Sequence, residues 1–205
     1  MIYLATASKD SSVYSLYPTK NTGYDEIITI SKAYTIYNES DIARSYIQFD
    51  IEHLPSYVTA SSKIATFHLS KVEELPVSFS LYSYPVISSW DMGVGTWSDD
   101  VGFNIAGVTW NTQPSIDYGT SASMYFSYQT SDYLNLNIGD IYDYWIANGN
   151  YGMVLQHSTT VESSSLNYGY LKYYSKETNT FLQPFLQIGW NDQVYVTGSL
   201  TSIGE

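Results

Sequence analysis

The chain contains no cysteine. No disulfide can staple it, no thiolate can attack a substrate, and cysteine-ligated zinc or iron–sulfur sites are excluded. Cations are scarce too: eight Lys and Arg stand against twenty Asp and Glu, and the 205 residues carry a formal net charge of -12. So few cations leave no electrostatic footprint for a phosphate backbone, which argues against nucleic-acid binding. They also leave no basic face for a membrane-surface helix. No run approaches the roughly 18 apolar residues that cross a bilayer. No basic segment followed by an apolar core opens the sequence, so no secretory leader is expected. Signatures of catalysis are missing as well: no G-x-S-x-G, no glycine-rich phosphate loop with Lys, no H-E-x-x-H. With twenty acids, some pair falls at glycosidase spacing by chance alone, so no catalytic residue is assigned.

What the chain has instead is tyrosine. There are 22, and with 5 Trp and 7 Phe they bring aromatics to 17%. Tyr offers apolar area and a hydroxyl at little rotamer cost, which suits strands and contact surfaces for proteins or glycans.

Strand patterns dominate. Ile2–Thr6 alternates weakly and Val13–Tyr17 stops at Pro18; a turn-rich segment from Tyr17 to Gly23 follows, then the β-branched run Glu26–Ser31. Tyr34–Asp41 reads as a polar insertion. Arg44–Ile51 alternates most cleanly, with Ser45, Ile47, Phe49 and Ile51 on one face and Tyr46, Gln48 and Asp50 on the other. Leu54-Pro55 closes it. Further strands are expected at Lys63–Ser70, Val77–Tyr84, Ala122–Tyr128, Tyr133–Ile138, Gly152–Gln156, Leu166–Tyr174, Phe181–Trp190 and Gln193–Thr197. Between them, residues 86–121 form a long irregular excursion carrying Trp90, Trp97 and Trp110, which are expected to pin it. One helix is expected near residues 140–147, where Ile141, Tyr142, Trp145 and Ile146 recur at helical spacing and Asn148-Gly149 ends the run. The pattern predicts an all-β antiparallel sandwich or jelly roll with one short helix, because crossover helices for a parallel sheet are missing. A single domain over 1–197 with a tail at 198–205 is expected.

Two stretches carry a family likeness. Arg44-Ser45-Tyr46-Ile47-Gln48-Phe49-Asp50-Ile51-Glu52-His53-Leu54-Pro55 resembles the strand motif R-x-hydrophobic-hydrophobic-x-F-D-hydrophobic-x-x-L-P of the DNRLRE-type jelly-roll domains, a carbohydrate-binding-module-like group. Val108-Thr109-Trp110-Asn111-Thr112-Gln113-Pro114 is similar to that group's V-T-W-N-x-Q-P. A helix with central Trp145, then Asn150–Leu155, Tyr173–Glu177 and a strand after Pro184, follow in order, so the likeness runs from about Asp10 to Trp190. The resemblance implies a non-catalytic β-sandwich used for adhesion or carbohydrate binding, with similar domains in virion proteins of large marine bacteriophages. On it, Arg44, Phe49, Asp50, Leu54, Pro55, Trp110, Asn111, Gln113, Pro114 and Trp145 are fold residues. The expected function is a virion structural component, in neck, tail, fibre or capsid, which assembles as an oligomer with other virion proteins. The alternative is a module that recognises surface polysaccharide or host glycan.

Trp90 and Trp97, in a glycine-rich acidic loop, are the candidate interface or glycan contacts. Asp99 and Asp100 offer clustered oxygens that would suit a calcium ion, though without calcium-loop spacing; no other cofactor or metal is implied. His53, His68 and His157 lack ligand spacing and read as unrelated.

Overall fold

The computed structural model describes residues 2–52, 54, 63–72, 78–99, 106–126 and 133–190. Among them lie the strands β1 (Ile2–Tyr14), β2 (Ile27–Tyr34), β3 (Ser40–Phe49), β4 (Lys63–Ser70), β5 (Phe79–Pro85), β6 (Ala122–Phe126), β7 (Tyr133–Asn137), β8 (Met153–His157), β9 (Gly169–Tyr174) and β10 (Phe185–Trp190). The helices are α1 (Gly139–Asn148) and α2 (Thr159–Glu162). Antiparallel pairing runs β6-β5-β8-β3-β1-β10-β4-β7, with β2 joined to β3 and β9. The result is the expected all-β architecture, a nearly closed sandwich of the jelly-roll kind.

Strand β1 joins the two layers. Its first half pairs with β10, Ala5 opposite Leu186, and its second half pairs with β3, Val13 opposite Arg44. A register shift between Ala7 and Lys9 lets it change partners. Sequence patterning splits β1 into two pieces, because Ser11 and Ser12 look like loop residues. Both are buried, however, and Ser12 exchanges hydrogen bonds with the Thr22 hydroxyl, the Ser45 hydroxyl and the Thr29 N–H. Satisfied polar groups inside a sheet erase the alternation that would reveal the strand.

The main core fills the space between the layers: Ile47 and Phe49 of β3 face Phe67 and Leu69 of β4 and Leu186 and Ile188 of β10. Phe49 and Phe67 meet edge to face at 5.6 Å. Helix α1 closes one end with Ile141, Tyr142 and Trp145, and the Trp145 indole donates to the Gly152 carbonyl at 3.0 Å. The second helix, α2, is a correction to the single helix expected. Four residues are too few for a periodic signal, and its start is set by the Ser158 hydroxyl accepting from the Val161 N–H.

Two further corrections concern loops. The polar insertion Tyr34–Asp41 is the tip of the β2–β3 hairpin: Tyr34 pairs with Ser40, and the Thr35 N–H donates to the Glu39 carbonyl. Tyr46, on the outward face of β3, is fully buried, because the excursion after β5 lies across it. Val13, Tyr46, Val86, Trp90, Val108 and Val154 make a second, smaller core there. Pro55, His53 and Asp100 lie outside the described residues, as does everything beyond Trp190, including the Gln193–Thr197 strand and the domain boundary at residue 197.

The two family motifs meet in this second layer. The Arg44 guanidinium donates to both carboxylate oxygens of Glu162, at 3.0 and 2.6 Å, and to the Gln113 side-chain oxygen at 3.2 Å. Its Cζ lies 5.1 Å over the Trp110 ring, and the Tyr46 hydroxyl donates to the same Gln113 oxygen. Gln113 in turn donates to the Trp110 carbonyl, while the Asn111 N–H reaches the Pro18 carbonyl. Burial alone would lower the Arg44 pKa, but the Glu162 carboxylate outweighs it and raises it. Removing one partner of a largely buried pair leaves the other charge uncompensated. Glu162→Ala is expected to cost about 3 kcal/mol, read as a lower urea midpoint at unchanged slope; a midpoint equal to wild type would refute the pairing's importance.

Candidate functional site

The outer face of β2 and β9 forms the floor of a cleft of ≈ 520 Å³, a volume within the range of small-ligand sites. Ile28 and Ile30 point into the core, so the alternate residues Ile27 and Thr29 face outward. Opposite Thr29 stands Lys172, and two positions before it Tyr170. Tyr14 and the β1–β2 loop, with Leu16, Tyr17, Asp25 and Glu26, build one wall. Thr35 and Asp41 of the hairpin close one end, and Trp97 reaches in from the excursion.

The aromatic part of the cleft is tightly arranged. The Trp97 ring is 46% exposed and meets Tyr14 at 4.8 Å and Tyr17 at 5.1 Å, each at a steep angle. Lys20 lies 5.5 Å over the same indole. The Trp97 backbone N–H donates to the Asp25 carboxylate at 2.8 Å. Burial raises the Asp25 pKa, against the lowering effect of that hydrogen bond and of Lys20. Burial also raises Asp41, whose Oδ2 accepts from the Tyr170 hydroxyl at 3.2 Å. Tyr14 and Tyr170 are both pushed up to about 12, chiefly by burial, so both hydroxyls stay protonated at neutral pH.

Trp97 owes its position to a residue that sequence reasoning passed over. Asn21 is buried, and its amide donates to the carbonyls of Met92 and Val108 at 2.7 and 2.9 Å. Its oxygen accepts from the N–H groups of Gly23 and Gly95. Gly93 and Gly107 adopt φ of +73° and +134° against this side chain, where an added Cβ would fall 2.3 Å from its oxygen and 2.6 Å from its nitrogen respectively. The available signal was the Asn21-Thr22-Gly23 turn; the partners Met92, Gly95 and Val108 lie more than 70 residues away.

The two candidate tryptophans separate. Trp90 is 9% exposed, sits in the second core and donates to the Tyr151 carbonyl at 2.8 Å, with Lys9 over its ring. Trp97 alone of the pair lines the cleft. Asp99 is occupied locally: its Oδ2 accepts from the Thr96 N–H at 2.6 Å. No group of three or more His, Asp and Glu gathers as a metal site among the described residues. His68 bonds Asn135 at 2.6 Å and stacks on Phe185, while burial lowers His157 to about 4 and holds it neutral. Among the described residues no helix is long and apolar enough to cross a membrane. Asp50 is exposed and accepts from the Glu52 N–H, a turn role.

The double-sheet jelly roll is an architecture that lectin-type binding domains share with proteins of other purposes. The sequence matches carbohydrate-binding module family 96 over residues 2–189, and the chain belongs to that family. No curated protein matches it significantly.

Proposed function

We propose that the chain binds a polysaccharide segment in the cleft between Tyr17, Trp97 and Tyr170, without chemical change to it. The observation that carries this reading is the half-exposed Trp97 side chain in a cleft that adds hydroxyls, carboxylates and an ammonium to an apolar lining of aromatic rings, Leu16 and Ile27. Sugar rings present C–H faces to aromatic rings and hydroxyls to polar groups, and this lining offers both. A virion role, with the same surface buried against neighbouring subunits, rests on composition and resemblance alone; family membership favours the binding reading.

Trp97→Ala is expected to weaken polysaccharide binding more than tenfold, the loss of one anchor worth about 2 kcal/mol. Affinity electrophoresis against a polysaccharide panel, followed by titration with the best ligand, measures it. Tyr125, 66% exposed on β6 outside the cleft, is the control, and Tyr125→Ala is expected to bind as wild type. Undiminished affinity in Trp97→Ala would move the site elsewhere.

A further inference from the structure

We infer that two copies of the chain associate back to back through the outer face of the layer built from the first half of β1 with β10, β4 and β7. Alternation along these strands sends Ala5, Leu186 and Phe67 into the core. It leaves Ile2, Leu4 and Ile64 outside, 64, 60 and 66% exposed. The three stand together. Ile2 and Ile64 lie on either side of Gly189 in one cross-strand row, and Leu4 begins the next, followed across the sheet by Gln187, Thr66 and Asn137. A third row holds Thr6, Phe185, His68 and Asn135. Among the described residues of these rows there is no Asp, Glu, Lys or Arg, on a chain that carries twenty acids.

Clustered apolar surface without charge marks a contact surface. Charge and shape both choose a second copy as its occupant. Two chains of net charge -12 repel each other, so they come into close contact only where neither presents a carboxylate. The face is also its own complement. Gly189 leaves a notch: beyond its chain neighbours, the nearest atom to an added Cβ is the Ile64 carbonyl oxygen at 4.0 Å. Leu4, diagonal to it, supplies the knob. A twofold axis between them seats Leu4 of each copy over Gly189 of the other, the reciprocal contact of an isologous pair. Gln187 and Thr66 each donate and accept, so each can meet its twin. Four strands about 4.8 Å apart and five to six residues long give a flat footprint of about 350 Å² a side, which the standing side chains enlarge. That is the small end of specific interfaces, where association is weak and reversible. The cleft lies on the outer face of the other layer, on β2 and β9, so pairing leaves both clefts open.

The test is sedimentation equilibrium of the full chain from about 5 to about 500 µM. The expected result is a rise from one chain mass towards two with concentration. Association should tighten as salt goes from about 0.05 to about 0.5 M, because screening relieves the repulsion between copies. A contact built on ion pairs would respond in the opposite sense. Leu4→Glu sets two carboxylates beside the axis and Gly189→Leu fills the notch; each should weaken association at least tenfold. Both variants should keep the wild-type urea midpoint at low concentration, since Leu4 is exposed and Gly189 has room for a side chain. Ile36→Glu, at the 92% exposed tip of the β2–β3 hairpin, adds the same charge away from the face and should associate as wild type. A single chain mass at every concentration and salt overturns the proposal. So does a pair that survives either substitution on this face, or one that Ile36→Glu weakens as much as Leu4→Glu does.

Discussion

Asn21→Ala is expected to cost about 3 kcal/mol of stability and to weaken polysaccharide binding at least as much as Trp97→Ala. The substitution removes four buried hydrogen bonds at once and leaves the Met92 and Val108 carbonyls and the Gly23 and Gly95 N–H groups without their partner. An unsatisfied buried polar group costs about 1–3 kcal/mol, so the loss is held near 3 kcal/mol only if the excursion lifts off and lets water in. That lifting displaces Trp97, and the aromatic wall goes with it. Asn21→Asp keeps the acceptor for the two glycines but sets a carboxylate against two carbonyl oxygens, so it should do no better than Ala. Urea denaturation and ligand titration on the same preparations measure both effects. Lost stability with full affinity would show that Trp97 is held by other contacts.

Asp10→Asn is expected to stabilise the protein by about 2–4 kcal/mol at pH 8 and to change little near pH 4. Asp10 is 1% exposed on the inner face of β1, opposite Ile47, and burial raises its pKa from 3.8 to about 7. The Lys176 N–H at 2.7 Å and the Lys176 charge oppose that rise, and Glu177 adds to it. Between those two values the folded state holds a proton that the unfolded state has released. Stability from this group is therefore fully present below about pH 4, and is lost as pH rises through 7. Asparagine carries no charge at any pH, and its oxygen can still accept from Lys176. Denaturation midpoints from pH 4 to 8 should slope downward in wild type and flatten in the variant; parallel slopes would place the titrating group elsewhere.

Fold legibility tracked hydrophobic alternation. Lys63–Ser70 is a strand with the bounds its pattern gives, and the helix around Trp145 lies where three- and four-residue spacing puts it. Where burial is polar the pattern failed, as in the middle of β1, where Ser12 is satisfied by partners from β2, β3 and the turn before β2. Tyr46 failed for a related reason: alternation marks the faces of a strand but not what later covers them, and here residues over 35 positions downstream do so.

Sequence alone determined the class: no cysteine, few cations, alternating strands and one amphipathic helix admit an antiparallel β-sandwich and little else, because local patterns are written in neighbouring residues. The cleft was decided only by tertiary structure. Tyr14, Tyr17, Asp25, Trp97 and Tyr170 come from separate segments. Their meeting depends on β2 pairing with β9 and on Asn21 fastening the excursion, long-range contacts that no local period encodes.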